Sequence, residues 1–85
     1  MERHLKGIAN HWRIEILLLV ANKPEITLEA ISSSLSASEK TLGEHTRRLV
    51  QAGLLQKRYK GRFVEHFLSP YGKSFVQFIK SFQRL

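Results

Sequence analysis

The residues in this chain best suited to acid–base or metal chemistry are four histidines, His4, His11, His45 and His66. Their spacing supports neither use. His4 and His11 stand seven apart, His45 and His66 fall in other segments, and no two are three or four residues apart, the separation that sets a pair of ligands side by side on a helix. There is no cysteine and no aspartate, so thiolate metal sites, disulfides and Asp-based catalytic pairs are excluded. Ser32, Ser33 and Ser34 have no histidine near them in sequence, and there is no acidic pair and no glycine-rich phosphate loop. The chain is therefore expected to be no enzyme and to need no metal or cofactor.

Holding an anion is the chemistry the residues do support. The formal charge is +7 and it is unevenly placed: residues 1–44 carry −1 and residues 45–85 carry +8. Between His45 and Val64 stand six bases, Arg47, Arg48, Lys57, Arg58, Lys60 and Arg62, with no acid among them. Such a run points to a polyanionic partner, with a plain solvated basic face as the other reading.

Helices and a hairpin must position these bases. With 85 residues the expectation is a single domain over 1–85. A domain of this size buries only about 60–65% of its unfolded surface, so good helix packing or oligomerisation must supply the rest. No apolar run approaches the length of a membrane span and no signal pattern opens the chain, which predicts a cytoplasmic protein. Leu5, Ile8 and Trp12 fall at i, i+3 and i+7, and an apolar block from Ile14 to Ala21 follows, broken only by Glu15; these read as two helices, the second buried on most sides. Pro24 stops it. Thr27 can cap a short helix with Leu28, Ile31 and Leu35 on one face, and Ser36 or Ser38 can cap the next. In that helix Leu42, His45 or Thr46, and Leu49 form the inward stripe, and Gly53 ends it as a left-handed cap. Lys40, Gly43, Glu44, Arg47 and Gln51 fall on the opposite, outward face.

The period then changes from helical to two. Leu55–Tyr59 and Phe63–Leu68 read as strands around a turn at Gly61, with Phe63 and Phe67 on one face and Val64, His66 and Leu68 on the other. Ser69 and Pro70 read as a cap and a first helical position. The last helix carries Tyr71, Phe75, Phe78, Ile79, Phe82 and Leu85 as an apolar stripe. Mainly α with a small β-hairpin wing, the order describes a winged helix-turn-helix, with the helix-turn-helix over about 27–53, the wing over about 55–68 and the last helix over about 70–85.

The pattern T-L-x-x-I-x-x-x-L-x-x-S-x-x-T-L-x-x-H-x-x-x-L-x-x-A-G-L-L from Thr27 to Leu55, with "ANHWRIEILLLV" before it and "GRFVEHFLS" after it, resembles the winged helix-turn-helix transcriptional regulators of the ArsR-like group. "VEHFLSPYG" is similar to the strand-to-helix junction of MarR-like and HxlR-like regulators. The resemblance covers roughly residues 5–75. It implies a homodimer on operator DNA, with the Ser38–Ala52 helix in the major groove and the Lys57–Arg62 wing near the backbone. Metal-sensing members of the group use cysteine pairs near the reading helix, or Asp and His on the last helix. Neither set is present in this sequence, so metal sensing is not implied. Thr46 stands where leucine is usual, and Glu44 where a polar or basic residue is usual.

The candidate DNA-binding residues are Ser38, Lys40, Thr41, Gly43, Glu44, Arg47 and Arg48 on the reading helix, and Lys57, Arg58, Lys60 and Arg62 on the wing. Arg47 suits a guanine or a phosphate, and Glu44 suits a cytosine amino group or an ion pair with Lys40 or Arg48. Wing cations suit phosphate or minor-groove contact, or protect an edge strand from aggregation. Leu5, Ile8, Trp12, Tyr71, Phe75, Phe78, Ile79 and Phe82 are the candidate dimer interface, because the last stripe is wide for a small domain to cover. The expected partners are double-stranded DNA and a second copy, with no membrane and no evident ligand pocket; an effector or partner protein is left open, as is RNA in place of DNA. The rival reading is a winged-helix interaction module whose aromatic stripe binds a protein and whose basic face is incidental.

Overall fold

The computed structural model describes residues 2–83, and the side-chain surroundings of residues 11–82. The elements run α1 (Glu2–Asn22), β1 (Ile26–Thr27), α2 (Leu28–Leu35), α3 (Glu39–Gln51), β2 (Leu55–Lys60), β3 (Phe63–Leu68) and α4 (Pro70–Gln83). This is the winged helix-turn-helix arrangement that the sequence predicts, with two corrections.

The first correction concerns the N-terminal half. Two helices were expected and one is found, because nothing between Trp12 and Ile14 interrupts it: Arg13 is a good helix former and the apolar positions continue in phase. The second concerns the sheet. The hairpin gains a third strand, Ile26–Thr27, giving the order β1-β3-β2 with β3 in the centre. Ile26 pairs with His66 and Thr27 with Glu65. Two residues are too few to show a period of two, so this strand left no pattern to read. Its approach depends on Glu25, which adopts φ 74 and donates its N–H to the His66 carbonyl at 3.0 Å.

The helix ends follow their caps. Thr27 accepts the Ala30 N–H at 3.2 Å and opens α2. Ser36 takes a left-handed conformation at the end of α2, and Ser38 accepts the Thr41 N–H at 3.1 Å to open α3. Gly53, with φ 80, turns the chain out of α3 into β2. A buried cluster joins all the layers: Ile16, Leu17 and Val20 of α1, Ile31 of α2, Leu42 and Leu49 of α3, with Ile26, Leu54, Leu55 and Val76. Thr46, rather than His45, completes the inward face of α3, and its hydroxyl donates to the Gly43 carbonyl at 2.9 Å. Burial of these side chains, at roughly 1.5–3 kcal/mol each, holds α3 in place.

Candidate nucleic-acid interface

Helix α3 presents Glu39, Lys40, Thr41, Glu44, Arg47, Arg48 and Gln51 to solvent. The hydroxyls of Ser38 and Thr41 bond each other at 2.9 Å, so both serve the cap. Glu44 forms a compact ion cluster: Arg47 reaches it with two nitrogens at 2.6 and 3.1 Å, and Arg48 with one at 3.1 Å. The Arg47 hydrogen bond is the main reason that the Glu44 carboxyl sits below its ordinary value and the Arg47 guanidinium above its own. Glu44 therefore pairs with Arg48 as its spacing allows, and with Arg47 as well, but not with Lys40 among the described residues.

Gly43 does not face outward as its place on the wheel suggested. It is half-buried, and a Cβ built there would lie 3.6 Å from Leu28 Cδ2, an ordinary packing distance. Close approach of α2 accounts for a small residue here, although alanine would fit.

The wing is anchored by polar contacts. On one side of the ladder Arg58 stands opposite Glu65, and Lys60 opposite Phe63. Arg58 donates twice to Glu65 at 2.9 and 3.1 Å, lies 3.6 Å from Glu25 and covers the Phe67 ring at 4.6 Å. Glu65 is only 7% exposed, so Arg58 satisfies a buried carboxylate and is committed to the wing's own structure. On the other side His66 is buried, with Nδ1 2.9 Å from the Ile26 carbonyl oxygen. Lys57, Lys60 and Arg62 are exposed, and among the described residues no carboxylate pairs with them.

Beneath the wing Ser69 caps α4 as the sequence predicts, and it also belongs to a joint with Gly53 and Leu54 that the sequence does not announce. The Ser69 hydroxyl donates to the Gly53 carbonyl at 2.5 Å and accepts the Gly72 N–H at 2.9 Å. The Ser69 N–H donates to the Leu54 carbonyl at 3.1 Å. Gly72 lies so near this carbonyl that a Cβ there would overlap the Leu54 oxygen and stand 3.0 Å from its carbon. Glycine one turn into a helix, where it costs helix stability, was the available signal. For Glu65 the signal was its standing as the sole acid in residues 45–85, in register with Arg58.

The proposed dimer residues divide. The side chains of Leu5 and Ile8 lie outside the described residues, as does Leu85 of the last apolar stripe. Trp12, Phe75 and Ile79 are half-buried against the core, whereas Tyr71, Phe78 and Phe82 are exposed at 57–60%. Val76, which the stripe omits, is the buried large apolar residue of α4 among the described residues. Ile14, Phe75, Phe78, Ile79 and Phe82 line an open apolar groove. The Phe78 and Phe82 rings meet edge to face at 4.8 Å.

Two open clefts also stand where no ligand pocket was evident from sequence. One, of about 400 Å³, lies between the end of α1, β3 and α4, lined by Val20, Phe67, Lys73 and Val76 among others. The other, of about 390 Å³, is lined by Arg13, Ile14, Leu17, Leu49, Leu54 and Phe75. Arg13 Nε and His45 Nδ1 are buried without a partner among the described residues. Burial, then the charges of Arg13 and Arg48, hold the His45 imidazole below its usual range. Among the described residues no three His or Glu gather as a metal cluster, and no helix is long and apolar enough to cross a membrane.

No family model matches the chain. Over 65 residues, 76% of its length, it is 31% identical to the arsenic resistance transcriptional regulator ArsR1 of Pseudomonas putida. The match covers 51% of that protein, so the chain spans about half the length of this curated relative. Among solved structures, reduced HlyU from Vibrio cholerae superposes with a TM-score of 0.77 at 26% identity, over 92% of this chain and 82% of that one. Streptococcus pneumoniae FabT in complex with DNA superposes with a TM-score of 0.80 at 17% identity, over 85% of this chain and 52% of FabT.

Proposed function

Because the chain is a winged helix-turn-helix domain, similar in sequence to an ArsR regulator and in fold to regulators of the MarR kind, we propose that it binds duplex DNA as a sequence-specific transcriptional regulator in the cytoplasm. It does so as a homodimer at an operator. One observation carries the reading: an exposed polar face of α3 is joined through Gly53 to a wing whose Lys57, Lys60 and Arg62 have no carboxylate partner among the described residues. A rigid helix with capped N-terminus suits the major groove, and free cations on a hairpin suit phosphates. That a relative is called a regulator, and that FabT was solved with DNA, supports the same reading.

In this reading Lys40 and Arg47 face base edges and Arg48 supports the backbone. Glu44, tied to both arginines, restrains their reach, so affinity is bought only where a guanine or phosphate displaces the ion pair. The exposed Tyr71, Phe78 and Phe82 face of α4 meets its copy across a two-fold axis. Two reading helices then lie about one DNA turn apart and match a near-palindromic site.

Selection of bound duplexes from random DNA tests this directly. A near-palindromic consensus is expected, with log K falling by about 0.9 per phosphate neutralised as log salt rises. Arg47→Ala is expected to change the consensus, and Lys60→Ala to weaken all sequences alike and flatten the salt slope. No enrichment and no binding to mixed duplex at low salt would sink the proposal. The exposed α4 aromatics also favour a second reading, an interaction module. It predicts salt-insensitive assembly through α4 with no DNA affinity.

A further inference from the structure

The tip of the wing carries two large rings where charged side chains would serve an edge hairpin better. Tyr59 is 77% exposed and Phe63 51%. They occupy the last two rungs of the β2–β3 ladder, Tyr59 opposite Val64 and Phe63 opposite Lys60. Successive rungs face opposite ways, so one ring stands on each side of the hairpin. Gly61, with φ 62, and Arg62 make the turn between the strands. Neither ring packs against the hydrophobic core. Tyrosine has a hydroxyl that water can satisfy. Phe63 has no polar atom for water to satisfy, and it stands with Tyr59 at the tip of a hairpin that is otherwise basic.

Charge selects the partner. Lys57, Lys60 and Arg62 surround the rings, and the nearest acid of the hairpin, Glu65, is buried and held by Arg58. The tip is thus apolar at its rings and cationic everywhere else. The DNA minor groove offers the complement: two phosphate rails, about 6 Å apart, with base edges between them. Apolar side chains that enter this groove act as wedges between base steps.

We propose that Phe63 is such a wedge. It enters the minor groove beside the site of α3, partly unstacks one base step, and makes the wing selective for deformable pyrimidine–purine steps. Lys60, on the same side of the last rung, and Arg62 at the turn hold the flanking phosphates. Tyr59 lies along the groove wall. The wing then reads sequence through the ease of deforming it, in addition to supplying charge. This rests on the DNA-binding reading above.

The test uses the full chain and duplexes recovered by selection from random DNA. 2-Aminopurine is placed in turn at each step of the segment flanking the α3 contacts, and its fluorescence is read on binding. The unmodified protein is expected to raise the signal at one step per half-site and to bind flanks with a TA step more tightly than A-tract flanks. Phe63→Ala is expected to abolish the rise, to weaken binding to TA flanks about tenfold and to erase the preference between flanks. Phe63→Leu, which keeps an apolar wedge, retains most of both. Circular dichroism checks that the variants are folded. If the unmodified protein binds with no rise at any step, or if Phe63→Ala keeps the rise and the preference, the wedge is overturned while DNA binding stands. If the unmodified protein binds no duplex at all, the functional reading falls first and the wedge with it.

Discussion

Helix α3 and the wing both carry exposed bases but are mounted by different physics. Helix α3 rests on Leu42, Thr46 and Leu49, a stripe buried against α1 and α2. The wing rests on Glu65 under Arg58, His66 against Ile26, and the Ser69–Gly72 joint against Gly53 and Leu54. The cations differ in the same way. On α3, Arg47 and Arg48 share Glu44 in the open, where such pairs contribute little stability. On the wing one arginine is fixed over a buried carboxylate, and three cations are left without a carboxylate partner among the described residues. A hydrophobic stripe positions a helix and tolerates adjustment. A set of directional bonds and one close backbone approach positions a hairpin and does not.

The sharpest break of that contrast is Gly72→Ala. Its Cβ would overlap the Leu54 carbonyl, which belongs to backbone and cannot swing away. A loss of about 3 kcal/mol or more is expected in chemical denaturation; an unchanged midpoint would mean that the joint is slack. Arg58→Ala comes next. It strands the Glu65 carboxylate, at a cost of about 2 kcal/mol, and Arg58→Lys should recover only part because the two-nitrogen contact is lost. Equal stability of the alanine variant would show that the wing stands without its ion network. On the helix side the sign reverses. Gly43→Ala meets Leu28 at packing distance and should raise stability by about 1 kcal/mol, read as a higher thermal midpoint. A loss there would mean that α2 and α3 sit closer than they do.

The smallest effect expected is in pH. Burial is the main reason that the His66 imidazole lies below its ordinary 6.5, outweighing its bond to Ile26. The unfolded chain takes up a proton near 6.5 while the folded chain resists it, so stability is intact above that value and declines as pH falls below it. His45, also lowered by burial, acts in the same direction. Glu44, whose carboxyl the Arg47 hydrogen bond holds below its ordinary value, stays ionised throughout this range and adds nothing to the slope. Urea midpoints between about pH 7.5 and 5 check the slope, and His66→Gln should flatten it; a slope unchanged in that variant would place the effect elsewhere.

Fold and site were legible to different depths. Repeating apolar positions announce α2, α3 and α4, Thr27, Ser38, Gly53 and Ser69-Pro70 mark their ends, and Gly61 marks the hairpin turn, because a cap or a positive φ narrows the choice of residue locally. The continuity of α1 is not legible, since a period of 3.6 does not tell one long helix from two in phase. β1 was invisible, because two residues carry no period. The charge asymmetry of +8 against −1, the absence of cysteine and the run of bases from Arg47 to Arg62 are set by the order of residues alone, and they point to a polyanionic partner whatever the fold. Which of those bases are free was settled only by folding. Arg58 differs from Lys60 in its cross-strand neighbour, Gly43 from an outward residue in the approach of Leu28, and Gly72 from any other small residue in the position of the Leu54 carbonyl. The first of those facts is set by hairpin register, and the other two join separate elements, about whose approach local propensity carries no information.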